Sequence, residues 1–211
     1  MSSQEIKTYF QSRSTPVIAR DLLGCRLTYI HDHQTLGGII VETEAYLGVQ
    51  DTACYSFHGH RSAANEGLYR EGGTLFIYAQ RQYFFLNIAT QPAEHPEGIL
   101  IRALEPTDGL DQMSQNRGGK TGRLLTNGPA KIMQAFGIHD RKWRFSFLTD
   151  SPFRIDLAHP KKASHIIAAP RIGIRKVDSY WDNYPLRFYV DGNPYVSDMK
   201  VKKIRFDHGW G

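Results

Sequence analysis

Residues 39–47 read Ile-Ile-Val-Glu-Thr-Glu-Ala-Tyr-Leu, an alternation of small apolar and charged side chains that an extended strand sorts onto two faces. Val41, Thr43 and Ala45 fall on one face, and Glu42, Glu44 and Tyr46 on the other. Two carboxylates beside an aromatic ring are either the wet side of an ordinary amphipathic strand or the floor of a ligand site. Aromatic residues then crowd the segment from Tyr46 to Phe85. Tyrosines need water or a partner for their hydroxyls, so several are expected to edge a cleft, and such rings are a common stacking surface for nucleobases.

The elements around this strand set the fold class. Cys25–His31 and Gly37–Leu47 read as a strand pair across the polar segment His31–Thr35, and Gly73–Tyr78 and Tyr83–Ala89 as a second pair. The tip of that second hairpin is expected to be Ala79–Gln82, polar and cationic. Ile99–Leu104 is another strand, ended by Glu105-Pro106 before a helix over Thr107–Gln115. Ala168–Ile174 and Leu186–Val190 are late strands. Thr15-Pro16 opens a short helix stopped by Gly24, and Gly128-Pro129 opens a helix over Ala130–Phe136, closed by Gly137. Strands therefore come in runs without strict alternation with helices. This predicts an α+β fold: a single mixed domain over 1–211, mainly an antiparallel curved sheet with surrounding helices and a protruding β-hairpin.

Length and composition agree with that reading. At 211 residues with 41% hydrophobic side chains, one substantial core is favoured over two marginal ones. Cys25 and Cys54 cannot build a disulfide framework, which suits a reducing cytoplasm. No window approaches the ~18 apolar residues of a membrane span, so no membrane partner is expected. Charge is uneven: residues 1–101 hold 7 basic and 10 acidic side chains, and residues 102–211 hold 19 and 11. Lys161-Lys162, Arg171, Arg175-Lys176 and Lys200–Lys203 suggest a face that meets a polyanion. Ser114–Arg123, rich in glycine and cations, reads as a mobile surface loop.

Several chemistries lose their support at this stage. His58-Gly59-His60 lacks a third ligand at a familiar spacing, and no HExxH, G-x-S-x-G, Walker A or strand-linked GxGxxG is present. Glu42, Glu44 and Asp51 leave open a metal-dependent nuclease, which excess EDTA would silence. A non-catalytic binder of distorted duplexes is also open.

Six blocks spread along the chain narrow the choice: Leu-Leu-Gly at 22–24, IVETEAYLG at 40–48, GTLFIY at 73–78, IRALEP at 101–106, NGPAKI at 127–132 and PLRFYV at 185–190. In these blocks and their order the sequence resembles the methylpurine-DNA glycosylases, also called alkyladenine or 3-methyladenine DNA glycosylases. The resemblance implies a monofunctional hydrolase of base excision repair. Such an enzyme flips alkylated or deaminated purines out of duplex DNA and cuts the N-glycosidic bond with an activated water, leaving an abasic site. By motif, Glu44 matches the general base, Tyr46 and Tyr78 the rings that sandwich the purine, and Asn87 the residue that excludes normal guanine. Arg102 matches a residue that helps hold the water and the adjoining phosphate. Relatives commonly carry a histidine nine residues after the pocket tyrosine; here that position is Tyr55. The hairpin tip is one residue shorter than in vertebrate relatives, which places Gln80 or Arg81 nearest the intercalating position, with Arg81 expected as the wedge. Lys131 is expected to touch phosphate. No cofactor is implied, the partner is double-stranded DNA containing damaged purines, and a monomer is expected. The implied location is the cytoplasm, on the nucleoid of a bacterium, or the nucleus of a eukaryote.

Overall fold

Thirteen residues of one strand organise the sheet. The computed structural model describes residues 1–175 and 177–211, so Lys176 of the basic cluster lies outside the described residues. Strand β1 (Arg26–His31) turns into β2 (Gln34–Tyr46) through Asp32 and His33 alone. Both turn residues have positive φ, 47° and 62°, the backbone that matches the twist of a tight hairpin. Strands β3 (Leu75–Gln80) and β4 (Tyr83–Thr90) form the second hairpin, followed by β5 (Glu97–Asp108), β6 (Phe153–Asp156), β7 (Ile166–Ala169) and β8 (Arg187–Val190). The sheet runs β3-β4-β5-β2-β1-β6, with β8 paired to both β2 and β7, and every one of these pairings is antiparallel. Along one edge β2 pairs with β5, while along the other it meets β1 at its start and β8 at residues 42–44.

The register of β2 against β5 slips twice near the carboxylates. Ile40 faces Leu104, Glu42 faces Ala103 and Thr43 faces Ile101. Val41 and Arg102 are thereby left without ladder partners, a pair of bulges that re-aims side chains locally. A third slip, at Gly37/Gly38, accommodates Pro106 within β5. Proline is tolerated in a sheet at such an irregularity because no ladder hydrogen bond is demanded of it. The expectation that Glu105-Pro106 would end the strand is therefore wrong, and the following helix, α3 (Leu110–Asn116), starts three residues later than expected. Gly38 makes this crossing possible, since a Cβ there would collide with the backbone of Glu105 and Pro106.

Helix α1 (Ser3–Gln11) has no counterpart in the sequence reading. Its signal was nonetheless present: Ser2 and Glu5 form a capping box, and Ile6 and Phe10 are buried one turn apart. Helix α2 (Thr15–Asp21) packs on β2, and α4 (Pro129–Ala135) on β4 and β5. Between these helices and the sheet lie Phe10, Ile18, Leu22, Leu27, Ile40, Ile88 and Ile101, all essentially solvent-free. Each contributes about 1.5–3 kcal/mol of transfer free energy. The segment 114–123 is less independent than expected: its start is the last turn of α3, and Arg117 bonds to Gln134 and the Leu124 carbonyl. No helix among the described residues is long and apolar enough to cross a membrane.

Candidate active site

The face of β2 bearing Glu42 and Glu44 is closed from solvent, both residues being 0% exposed; it is not the wet side of an amphipathic strand. The opposite face meets α2, where the Thr43 hydroxyl donates to the Ala19 carbonyl at 2.7 Å. Three donors converge on the Glu44 carboxylate. The Ile172 amide reaches Oε1 at 2.7 Å, while the Tyr46 hydroxyl and Arg102 Nη1 reach Oε2 at 2.9 and 3.2 Å. Burial raises the Glu44 pKa, and the Arg102 charge and the bonds from Ile172 and Tyr46 offset only part of that rise. Arg102 also donates from Nε to Glu42 at 3.3 Å; Glu42 in turn accepts from Arg187 at 2.9 Å and from the Ser197 amide at 2.8 Å. Burial works against the Arg102 charge, but the two carboxylates outweigh it and hold its pKa above the usual value.

Next to this cluster lies a cavity of about 300 Å³, lined by Tyr46, Tyr55, Tyr78, Gln80 and Asn87 together with Cys54, Phe76 and the segment 173–175. Glu44 and Arg102 do not form its wall; the Tyr46 hydroxyl is the link between cavity and carboxylate. The wall rings are held by side chains that do not themselves line the cavity. Tyr78 stacks on Phe85, its ladder partner, at 4.8 Å with planes 9° apart, and the Arg171 guanidinium sits 4.7 Å from the Tyr46 centroid. Burial raises the pKa of both phenols, so each keeps its proton. Tyr55, half exposed, meets Tyr78 edge-on at 5.0 Å. Asn87 donates to the Phe76 carbonyl at 3.3 Å, which fixes its side chain within the wall.

The remaining predicted residues are more scattered. The hairpin turns through Arg81 and Gln82 alone, since Gln80 pairs with Tyr83, so the tip is two residues rather than four. Residues 79–83 are exposed, and Arg81 sits at φ 57°. Lys131 is on the first turn of α4 and does not line the cavity; its ammonium donates to Asn127 at 2.7 Å, and burial lowers its pKa. Arg171 does not belong to the basic surface. It is buried and bound to Asp51, whereas Lys161, Lys162, Arg175, Lys200, Lys202 and Lys203 are exposed as expected.

The segment that closes the cluster is not the strand that its sequence suggests. β7 ends at Ala169, and Pro170–Ile174 instead turns inward as a loop, bringing the Ile172 amide to Glu44 and the Arg171 side chain to Asp51. Proline at 170 and glycine at 173 were the available signals, because both interrupt a strand. The carboxylates of the nuclease alternative are taken up by guanidinium groups: Glu42 by Arg102 and Arg187, Glu44 by Arg102, Asp51 by Arg171. Among the described residues no group of three or more His, Cys, Asp or Glu is gathered that could hold a metal ion.

Comparison with known proteins gives the same direction. The family model described as methylpurine-DNA glycosylase (MPG) matches residues 9–194. A Lactobacillus acidophilus protein named "Putative 3-methyladenine DNA glycosylase" is 57% identical over 204 residues, covering 96% of this chain and 97% of its own length. Proteins of the same name from Lactobacillus delbrueckii subsp. bulgaricus and Staphylococcus saprophyticus are 55% and 44% identical. The first covers 98% of this chain and 99% of its own length; the second covers 93% and 95%.

Proposed function

The chain belongs to the methylpurine-DNA glycosylase family, and from that premise we propose that it is a monofunctional DNA-3-methyladenine glycosylase, a hydrolase of N-glycosyl bonds that acts on flipped purines in duplex DNA. The observation that carries the reading is Glu44: a carboxylate sealed from bulk solvent yet hydrogen-bonded to a tyrosine in the cavity wall.

The chemistry follows from how that carboxylate is held. A carboxylate has about four acceptor positions, and three are filled by Ile172, Tyr46 and Arg102. The fourth can take a proton of the attacking water, and burial makes Glu44 a stronger base than a solvated glutamate. Breaking the glycosidic bond leaves positive charge on the sugar, which a nearby buried carboxylate stabilises more than a solvated one would. Arg102, shared with Glu42, keeps the carboxylate oriented and supplies the compensating charge while no substrate is present.

Recognition rests on the rings. A flat purine enters the cavity against Tyr46 and Tyr78, and a cationic alkylated purine over electron-rich rings gains about 0.5–2 kcal/mol. Asn87 crowds the exocyclic amine of an undamaged guanine. Damaged bases pair and stack poorly, which lowers the cost of extruding them; Arg81 at the hairpin tip fills the vacated place in the duplex. Among the described residues the cavity wall contains no lysine to act as a Schiff-base nucleophile, and the expected product is an uncut abasic site.

Glu44→Gln tests the assignment on duplexes carrying single lesions, with alkaline cleavage reporting abasic sites. Base release is expected to be lost while duplex binding persists. Release at the wild-type rate removes Glu44 from its role.

A further inference from the structure

Behind Tyr46 lies an ion pair that the chemistry above does not use. The side chains of Arg171 and Asp51 are both 0% exposed and meet as a two-pronged pair, Nη1 to Oδ2 at 2.6 Å and Nη2 to Oδ1 at 2.7 Å. Arg171 Nη1 also donates to the Ala45 carbonyl at 3.1 Å. Asp51 accepts the amides of Leu47 and Ala53, each at 3.0 Å. A buried ion pair is by itself weak evidence for stability. Replacing a buried ion pair by apolar side chains of similar volume is often neutral or stabilising, and among the described residues Arg171 Nε is buried with no hydrogen-bond partner.

Its position suggests what else it does. Tyr46 lines the cavity, whereas Arg171, whose guanidinium lies 4.7 Å from the ring centroid, does not, an arrangement that fits a guanidinium covering the ring from outside the ligand space. We propose that Asp51 and Arg171 are specificity-determining residues: Asp51 neutralises the cation behind the Tyr46 wall, so that the wall accepts positively charged purines as well as uncharged ones. The inference rests on reading the cavity as the flipped-purine site.

A bare guanidinium there would stand about 8 Å from a positive base stacked on the other side of the ring, allowing about 3.5 Å for the stacking contact. At an effective dielectric of about 20, repulsion over that distance disfavours a cationic base by roughly tenfold to thirtyfold, and leaves an uncharged base nearly unaffected. Removing the arginine instead leaves Asp51 negative behind the ring and favours the cation. The two substitutions therefore act in opposite directions on selectivity, which loss of structure alone does not do.

The experiment compares single-turnover release of 7-methylguanine, which is cationic, with release of hypoxanthine, which is neutral, from otherwise identical duplexes. Asp51→Asn is expected to lower the cationic-to-neutral rate ratio about tenfold or more. Arg171→Gln is expected to raise it, and Arg171→Lys, which keeps the charge, to hold it within about twofold. Should Asp51→Asn not fold, the contrast between the two Arg171 variants decides by its sign. Equal losses on both lesions in every folded variant, or shifts of the same sign in Asp51→Asn and Arg171→Gln, overturn the proposal. Wild-type protein that releases 3-methyladenine but neither of these bases overturns this proposal alone, whereas release of none of the three overturns the glycosylase reading and with it everything built on that cavity.

Discussion

Tyr46→Phe isolates one atom of the site. The substitution removes the hydroxyl that donates to Glu44 Oε2 at 2.9 Å but keeps the ring that lines the cavity and rests against Arg171. A hydrogen bond to a charged acceptor contributes about 1.5–3 kcal/mol. Glu44 retains two other donors, and the adjoining cavity can supply water to the freed position, so the lower end of that range applies. At about 1.4 kcal/mol per tenfold, base release is expected to slow by roughly tenfold. The same loss has a second signature. Burial already raises the Glu44 pKa, and the Tyr46 bond is among the interactions that pull it back down. Without it the carboxylate takes up its proton at higher pH, so the acid limb of the rate profile moves upward. Single-turnover release measured from about pH 5 to pH 9 reads both effects, and gel-shift affinity for a duplex whose lesion sits on a cleavage-resistant 2′-fluoro sugar reads whether the ring still stacks. A tenfold loss with an unmoved acid limb, or a moved limb at full rate, would show that the hydroxyl does not hold the catalytic carboxylate.

Three other outcomes are expected. Arg81→Gly removes the wedge without straining a turn residue already at φ 57°; it should shorten the lifetime of the flipped state at least severalfold while leaving encounter with DNA unchanged, as read by stopped-flow fluorescence of a 2-aminopurine beside the lesion. Duplex binding should weaken steeply with salt, because the exposed lysines and Arg175 release about one counterion for each phosphate they meet; titrations between about 50 and 200 mM salt that give a flat response exclude that basic face from the contact. Gly24→Ala should lower the melting temperature by about 3–10 °C in calorimetry, since Gly24 sits at φ 91° with no room for a Cβ beside the Lys161 carbonyl, a strain of about 1–3 kcal/mol. Unchanged melting would mean that the loop at Lys161 yields freely.

The Gly24 position also explains why Leu-Leu-Gly stands out in the sequence. Leu22 and Leu23 are buried under the sheet, and the glycine lets the chain leave α2, pair with Ile40 and receive the Lys161 amide within one residue. Local signals of this kind were readable. Proline at the first turn and a glycine at the end placed α2 and α4 nearly to the residue, and alternation put Glu42, Glu44 and Tyr46 on one face. Each depends on backbone preferences that act over a few residues. The full length of β5 is not legible locally, because proline usually ends a strand; the slip opposite Gly38 that admits Pro106 is a property of two strands together.

The class of fold, the face that carries the carboxylates and the family to which the chain belongs are legible in the order of its residues, because period-two alternation and short motifs are local quantities. Tertiary structure alone decided that this face is sealed rather than wetted. It also decided that Arg102 stands between Glu42 and Glu44, and that Arg171 reaches back 120 residues to Asp51 behind the tyrosine wall. Burial and charge pairing depend on everything that surrounds a group, and the partners that set them here come from segments far apart along the chain.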